Sequence, residues 1–237
     1  MSHSVRMISI QKPVIDELDK DSAEQLLAFC ARVSNTANQL NFETGPKLIR
    51  SLIRRQEWSP LQMVFACFEV RTTRDISRQI LRHPTIHPQE FSQRYSVVDN
   101  QPIFSEARLQ HPTDRQASVE CEDSYLQQVW QDRQLLVWNT AISHYNAALQ
   151  DGIAKELARK LLPEGLTPTL LYLNAPIRTW LHYCMLRSKP STQKEHRLIA
   201  QEIWAKLIKE LPSLVGSVAS VRDIEDAMFQ LKSYGKK

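Results

Sequence analysis

The order of apolar and polar positions divides the chain into short elements. Residues 4–16 open with a brief apolar alternation that predicts a strand. In "SAEQLLAFCARVS" (22–34) apolar residues recur at helical spacing behind Ser22, a good N-cap. Residues 45–58 set Leu48, Leu52 and Ile53 on one stripe and predict a second helix. "MVFACFEVRT" (63–72) is rich in β-branched and aromatic residues and predicts a strand. A helix over 72–83 follows, with Thr72 and Asp75 at capping-box spacing. It stops near His83, because Pro84 disfavours helical geometry in the residue before it.

Residues 84–97 are expected to be extended or looped, and 98–118 to form a polar, irregular excursion. One long helix is expected over 121–152, ending at Gly152, and a shorter one ending at Pro163. "TPTLLYLN" (167–174) predicts a strand, 175–188 and 192–211 predict helices, and a last helix is expected near 218–232. Strands among a helical majority make the fold class α+β, with a mixed sheet packed by helices. No shift in composition marks a linker, so residues 1–237 read as one domain.

Composition narrows the function. The chain is 42% hydrophobic and 24% charged, the make-up of a soluble globular protein. No apolar window is long enough for a membrane span, and the N-terminus lacks the apolar core of a signal peptide. Cys30, Cys67, Cys121 and Cys184 show neither C-x-x-C spacing nor a partnering histidine pair. They read as reduced thiols of a cytoplasmic protein, and no metal site is expected. The five glycines cannot write either common Gly-rich phosphate loop. A formal charge of +4 suits an anionic small molecule and is too small to argue for nucleic acid.

The densest chemistry lies in "RQILRHPTIHPQEFSQRYS" (78–96). Gln79, Arg82 and His83 stand at i, i+3 and i+4 and share a helix face. Arg78 and Arg82 repel at i+4, which a bound anion would relieve; a solvated basic edge is the alternative. Beyond Pro88 an extended backbone would turn Glu90, Ser92 and Arg94 one way, and Gln89, Phe91, Gln93 and Tyr95 the other. An acceptor, a hydroxyl and a guanidinium fork on one face could hold a phosphorylated sugar. An amphipathic strand with an internal Glu–Arg pair accounts for the same residues.

The stretch resembles the signature of flavin-dependent thymidylate synthases, R-H-R, seven residues, then S, often within Q-E-F-S-Q-R-Y. Here it stands as Arg82-His83-Pro84, seven residues and Ser92, with "QEFSQRY" (89–95) complete. "ARVS" (31–34), "WSP" (58–60), "ELARKLLP" (156–163) and "IRTWLHYCMLRSKPSTQKEHR" (177–197) resemble further family segments in the same order. The resemblance implies the family's fold and the methylation of dUMP at C5, with methylenetetrahydrofolate as carbon source. It also implies FAD as flavin, NADPH as reductant, and a homotetramer with shared sites.

By the same resemblance, Gln79, Arg82, Glu90, Phe91, Ser92, Gln93, Arg94, Arg159 and Arg187 occupy substrate-binding positions. Arg82, Arg94 and Arg159 would clamp phosphate or its neighbours. Arg187 would be catalytic, its permanent cation set against negative charge developing at N3 and O4 of the pyrimidine. Ser59, Arg82, His83, Glu90, Arg178 and His182 fall at or near flavin-binding positions, and Ser34 more weakly. A packed core histidine at 182 and a surface charge at 178 are the alternatives there.

Several positions depart from the family pattern. Pro84 replaces the second arginine of R-H-R and removes a cation and a backbone N–H together. Glu57, His87, Pro88, Pro176 and Ser191 also differ. The nucleotide positions survive, and the losses gather at flavin and folate positions. Three readings follow: an active synthase, a relative that hydroxymethylates dUMP or dCMP without a hydride, and a non-catalytic nucleotide-binding relative.

Overall fold

A computed structural model describes residues 3–98 and 101–216. The helix expected near 218–232 lies outside the described residues. The frame is a four-stranded sheet of β1 (Ser4–Ile10), β2 (Phe65–Thr73), β3 (His87–Glu90) and β6 (Pro168–Pro176), in the order β1-β2-β6-β3. Every pairing is antiparallel, so the sheet is not mixed as expected. The physical reason lies in the strand pattern: one face is apolar and the other polar, as suits an antiparallel sheet covered on one side.

The two central strands set the register. β2 and β6 pair from Phe65 opposite Pro176 to Thr73 opposite Pro168. Ala66, Phe68 and Val70 of β2 and Leu171, Leu173 and Ala175 of β6 point into the core. Tyr172 and Asn174 point the other way, exposed. β3 is an edge strand, where Pro88 is tolerated because its missing N–H need not join a ladder. β1 carries an irregularity between Met7 and Ser9.

Helices cover the apolar face. These are α1 (Ala23–Ala31), α2 (Gly45–Arg54), α6 (Ile177–Arg187) and α7 (Lys194–Glu210). Ser22 caps α1 as predicted, its Oγ accepting from the Gln25 N–H at 3.1 Å. Trp180, Tyr183 and Trp204 are fully buried here, and the Trp180 indole donates to the Ala66 carbonyl at 3.0 Å. That bond satisfies the one polar atom of a large apolar side chain.

The remaining elements build the rim. α3 (Arg74–Ile80) begins directly where β2 ends. Its N-cap is Thr73, without a side-chain hydrogen bond, so the capping box expected at Thr72 and Asp75 does not form. Pairing with β6 runs through Thr73 and keeps Thr72 extended, and the Thr72 hydroxyl meets His3 Nδ1 at 2.8 Å instead. The stretch expected to be irregular contains β4 (Arg108–Gln110), which pairs with β5 (Ser118–Glu120) in a separate two-stranded ribbon. The long helix is α4 (Ser124–Gln150), capped by Asp123 and followed by Gly152 at φ 81°. A Cβ there would meet nothing within 4 Å, so glycine serves the left-handed backbone alone. α5 (Lys155–Ala158) runs into a 3-10 turn at Arg159–Leu161. Among the described residues no helix is long and apolar enough to cross a membrane.

Candidate functional site

α3 separates two unlike polar regions. On one side Arg74, Arg78, Gln93, Arg159, Lys160 and Glu164 line a cavity of about 190 Å³. The turn after α5 delivers Arg159, whose Nε donates to the Glu156 carbonyl at 3.4 Å. Gln93 is buried, and its Nε2 has no partner among the described residues. Such an amide costs about 1–3 kcal/mol, which a ligand acceptor would relieve.

Carboxylates already balance much of this basin. Arg78 donates to Glu164 through Nε at 3.0 Å and Nη2 at 2.7 Å. The repulsion expected between Arg78 and Arg82 is therefore offset by Glu164 without a bound anion. Arg82 is exposed and makes no ion pair with another described residue. Glu90 Oε1 accepts from Arg74 at 3.2 Å, Ser77 at 2.7 Å and Thr169 at 3.0 Å. It ties α3 to β6 and holds Arg74 in place.

The shared face expected for Glu90, Ser92 and Arg94 does not form. β3 ends at Glu90, and the N–H groups of Tyr95 and Ser96 both donate to the Ser92 carbonyl, at 3.0 and 2.9 Å. This turn ends the strand alternation. Ser92 is exposed, and Arg94 is exposed and reaches Glu156 at 3.5 Å instead. Phe91 packs on a small apolar cluster of Val98, Tyr145, Ala158 and Leu162.

On the other side of α3, Gln79 and His83 face α6 and α7. The His83 ring lies edge-on to Tyr183, centroids 5.3 Å apart. His196 Nε2 is 3.1 Å from the Tyr183 hydroxyl, and its Nδ1 is 3.3 Å from Gln79 Oε1. Gln79 Nε2 donates to Gln193 Oε1 at 2.7 Å. Arg187 ends α6, and its buried Nε has no partner among the described residues. His182 stacks edge-on against Trp58 at 4.6 Å, which sets the Ser59–Gln62 turn beside α6. Ser59 is exposed, and Arg178 is half-buried one turn before His182.

Burial governs the protonation of this cluster. It lowers the His83 imidazole, with the charge of Arg187 adding, and lowers His182, with Arg178 adding. His196 is pushed down to about 3, by burial first and then by Arg187. All three imidazoles are therefore neutral at pH 7, and burial raises the Tyr183 phenol well above its ordinary range.

Between the two regions runs the segment where the sequence departs from its family pattern. Pro84 is exposed, and Thr85 adopts φ 66°, a left-handed backbone that is unfavourable for a β-branched residue. The Thr85 and Thr179 hydroxyls lie 2.6 Å apart, which fastens the segment to α6. His87 pairs in register with Asn174, Pro176 caps α6, Ser191 is exposed, and Glu57 pairs with Arg55 at 2.8 Å.

The structure thus gathers Gln79, His83, His182 and Arg187 at one region and Gln93 and Arg159 at the other. Sequence reasoning missed Arg74, Lys160, Tyr183, Gln193 and His196. A signal existed for one pair: Gln193 and His196 stand three apart at the start of α7 and so share a face.

Residues 14–213 match the family described as "Thymidylate synthase complementing protein". The chain is 41% identical over 211 residues to a probable flavin-dependent thymidylate synthase of Paramecium bursaria Chlorella virus 1, covering 89% of this chain and 96% of that one. It is 40% identical over 215 residues to a flavin-dependent thymidylate synthase of Synechocystis, covering 90% and 98%. Among solved structures, the UMP/dUMP methylase PolB from Streptomyces cacaoi, bound with 5-Br dUMP, has a TM-score of 0.78 at 24% identity. That match covers 92% of this chain and 97% of that one, a likeness of fold.

Proposed function

The chain belongs to the thymidylate synthase complementing protein family, the flavin-dependent thymidylate synthases, and on that premise we propose that it methylates dUMP at C5. Methylenetetrahydrofolate would be the one-carbon donor, FAD the flavin and NADPH the reductant. The observation that carries this reading is the position of α3 between a cationic basin and a buried cluster of neutral imidazoles beside Arg187.

Each region has its own task in this reading. Arg159 and the unpartnered Gln93 amide hold the nucleotide phosphate, with Arg82, Ser92 and Arg94 exposed to the incoming ligand. Glu90 and Phe91 position the basin from behind: one anchors Arg74 and the other packs the loop. Gln79 and Arg187 address the base. As C5 becomes nucleophilic, negative charge develops on N3 and O4, and the fixed guanidinium of Arg187 would stabilise it. Neutral His83 and His196 add no competing positive charge beside it.

The residues present fit a flavin. Trp58, His83 and His182 offer flat neutral surfaces, Arg178 and Arg187 offer cations, and the Arg187 Nε is a buried donor without a partner among the described residues. When bound, the flavin supplies the hydride that completes the methyl group. Ser59, His83, Arg178 and His182 would hold it, with Arg82 and Glu90 at the boundary with the nucleotide. Pro84 contributes neither a cation nor an N–H to that grip.

The chain would work as one domain in a homotetramer. In support, one apolar core draws on both the N-terminal helices α1 and α2 and the later α6 and α7, and α4 leaves Tyr125, Leu136 and Val137 exposed. Its cysteines are unbridged, in keeping with a cytoplasmic setting. The test uses dUMP tritiated at C5 with methylenetetrahydrofolate, FAD and NADPH. Tritium should be released and dTMP formed. Recovery of a hydroxymethyl product, or tight dUMP binding with no release, overturns the reading.

A further inference from the structure

We propose that the β4–β5 ribbon is a clamp on the start of α7, with Arg108 as a positioning residue that sets where Gln79 meets the pyrimidine. It acts through the two α7 residues that hold the Gln79 side chain. The proposal rests on the nucleotide reading given above, in which Gln79 addresses the base.

The start of α7 needs support from outside. Its N-cap residue, Gln193, makes no capping side-chain hydrogen bond, so the first turn lacks the usual local fastening. Lys194 is a cation at the positive end of the helix, where an unpaired charge is unfavourable. The ribbon supplies what is missing. Arg108 of β4 reaches Glu195 at 2.7 Å, with both side chains largely buried. Burial alone would raise the Glu195 carboxyl, but its own backbone N–H and Arg108 outweigh that and keep it ionised. Lys194 pairs at 2.6 Å with Glu106, which precedes β4, and at 3.4 Å with Glu120 of β5. Arg108 also reaches Glu106, at 3.2 Å, so the contacts form one chain of alternating charge.

The residues beside this chain give the clamp its task. Gln193 and His196 flank Lys194 and Glu195, and both meet Gln79. The Gln79 side chain lies 2.7 Å from Gln193 Oε1 and 3.3 Å from His196 Nδ1. A shift of the first turn of α7 therefore moves both partners of Gln79 together. His196 is also held by the Tyr183 hydroxyl at 3.1 Å, whereas Gln193 is exposed, so Gln193 is the partner that the clamp governs most. The loop before α7 is tied separately: Arg197 Nη1 donates to the carbonyls of Pro190 at 2.7 Å and Thr192 at 3.3 Å.

The test is a double-mutant cycle on dUMP binding, read by calorimetry with the FAD-loaded protein. Arg108→Met should weaken dUMP about tenfold, because it breaks a buried pair and frees the turn that holds Gln79. Arg108→Lys keeps a cation there and should bind within about threefold of wild type. Gln79→Ala should weaken dUMP by itself. Adding Arg108→Met to it should cost no more than about twofold further, because Arg108 acts through Gln79. If Arg108→Met does not fold, Lys194→Met takes its place in the cycle, with about a threefold loss that disappears beside Gln79→Ala. A ribbon docked for stability alone would lower Tm in these variants and leave dUMP binding unchanged, and that result overturns the proposal. Losses that add fully in the double variant overturn it too. Wild type that binds no dUMP removes the proposed function first and this inference with it.

Discussion

The basin and the cluster on either side of α3 are both built to handle charge, and they do so by opposite means. In the basin the cations are partly exposed and matched by carboxylates: Arg78 with Glu164, Arg74 with Glu90, Arg94 with Glu156. Their fields are screened by water and salt, so grip there comes from several modest contacts. In the cluster the imidazoles are neutral, and their charged neighbours include Arg187 beside His83 and His196 and Arg178 beside His182. A cation beside buried neutral groups acts with little screening. The basin is therefore sensitive to salt and tolerant of single losses. The cluster is sensitive to pH and intolerant of losing Arg187.

The largest effect should come from the cluster. Arg187→Ala should reduce kcat about 10²–10³-fold with little change in Tm, as for loss of one fixed donor at developing charge. Turnover equal to wild type would remove Arg187 from the chemistry. The pH contrast comes next. Because the folded His196 lies at about 3, below its ordinary 6.5, the unfolded chain binds more protons between those values. The stability linked to this group is fully present above about pH 6.5 and is lost as pH falls toward about 3. The loss amounts to about 2 kcal/mol at pH 5. Urea unfolding of His196→Asn should show a pH dependence shallower by about that amount, and an equal slope would contradict neutral burial.

The basin should give smaller effects. Arg159→Ala should raise KM for dUMP about tenfold with kcat nearly unchanged, and binding by wild type should weaken with added salt. A fall in kcat at constant KM would place Arg159 in the chemistry instead. Smallest of all, Pro84→Arg should tighten FAD about fivefold, read by flavin fluorescence titration, without altering dUMP binding. No tightening would mean that the flavin lies away from this segment.

Much of the frame was legible because it rests on periodicity. The alternation of β2, the Ser22 cap and the stop at Gly152 are local signals, and the structure keeps them. The capping box at Thr72 failed because pairing with β6, almost a hundred residues later in the chain, outweighs a local preference. The same limit shaped the site. A uniform strand over 89–95 would have aligned Glu90, Ser92 and Arg94, but the turn on the Ser92 carbonyl and the packing of Phe91 redirect the chain. His196 and Tyr183 escaped notice because their meaning depends on contact between α3, α6 and α7, which no spacing within one segment encodes.

Pro84 and Pro88 also act on the chain before it folds. A proline ring fixes φ and narrows the choices of the residue before it, so residues 83–88 wander less in the unfolded ensemble than an ordinary loop would. Folding this segment gives up correspondingly little conformational entropy. That saving offsets part of the left-handed backbone at Thr85. The replacement Pro84→Arg would thus restore a cation at the flavin and return freedom to the unfolded chain in the same step, gaining affinity while losing stability.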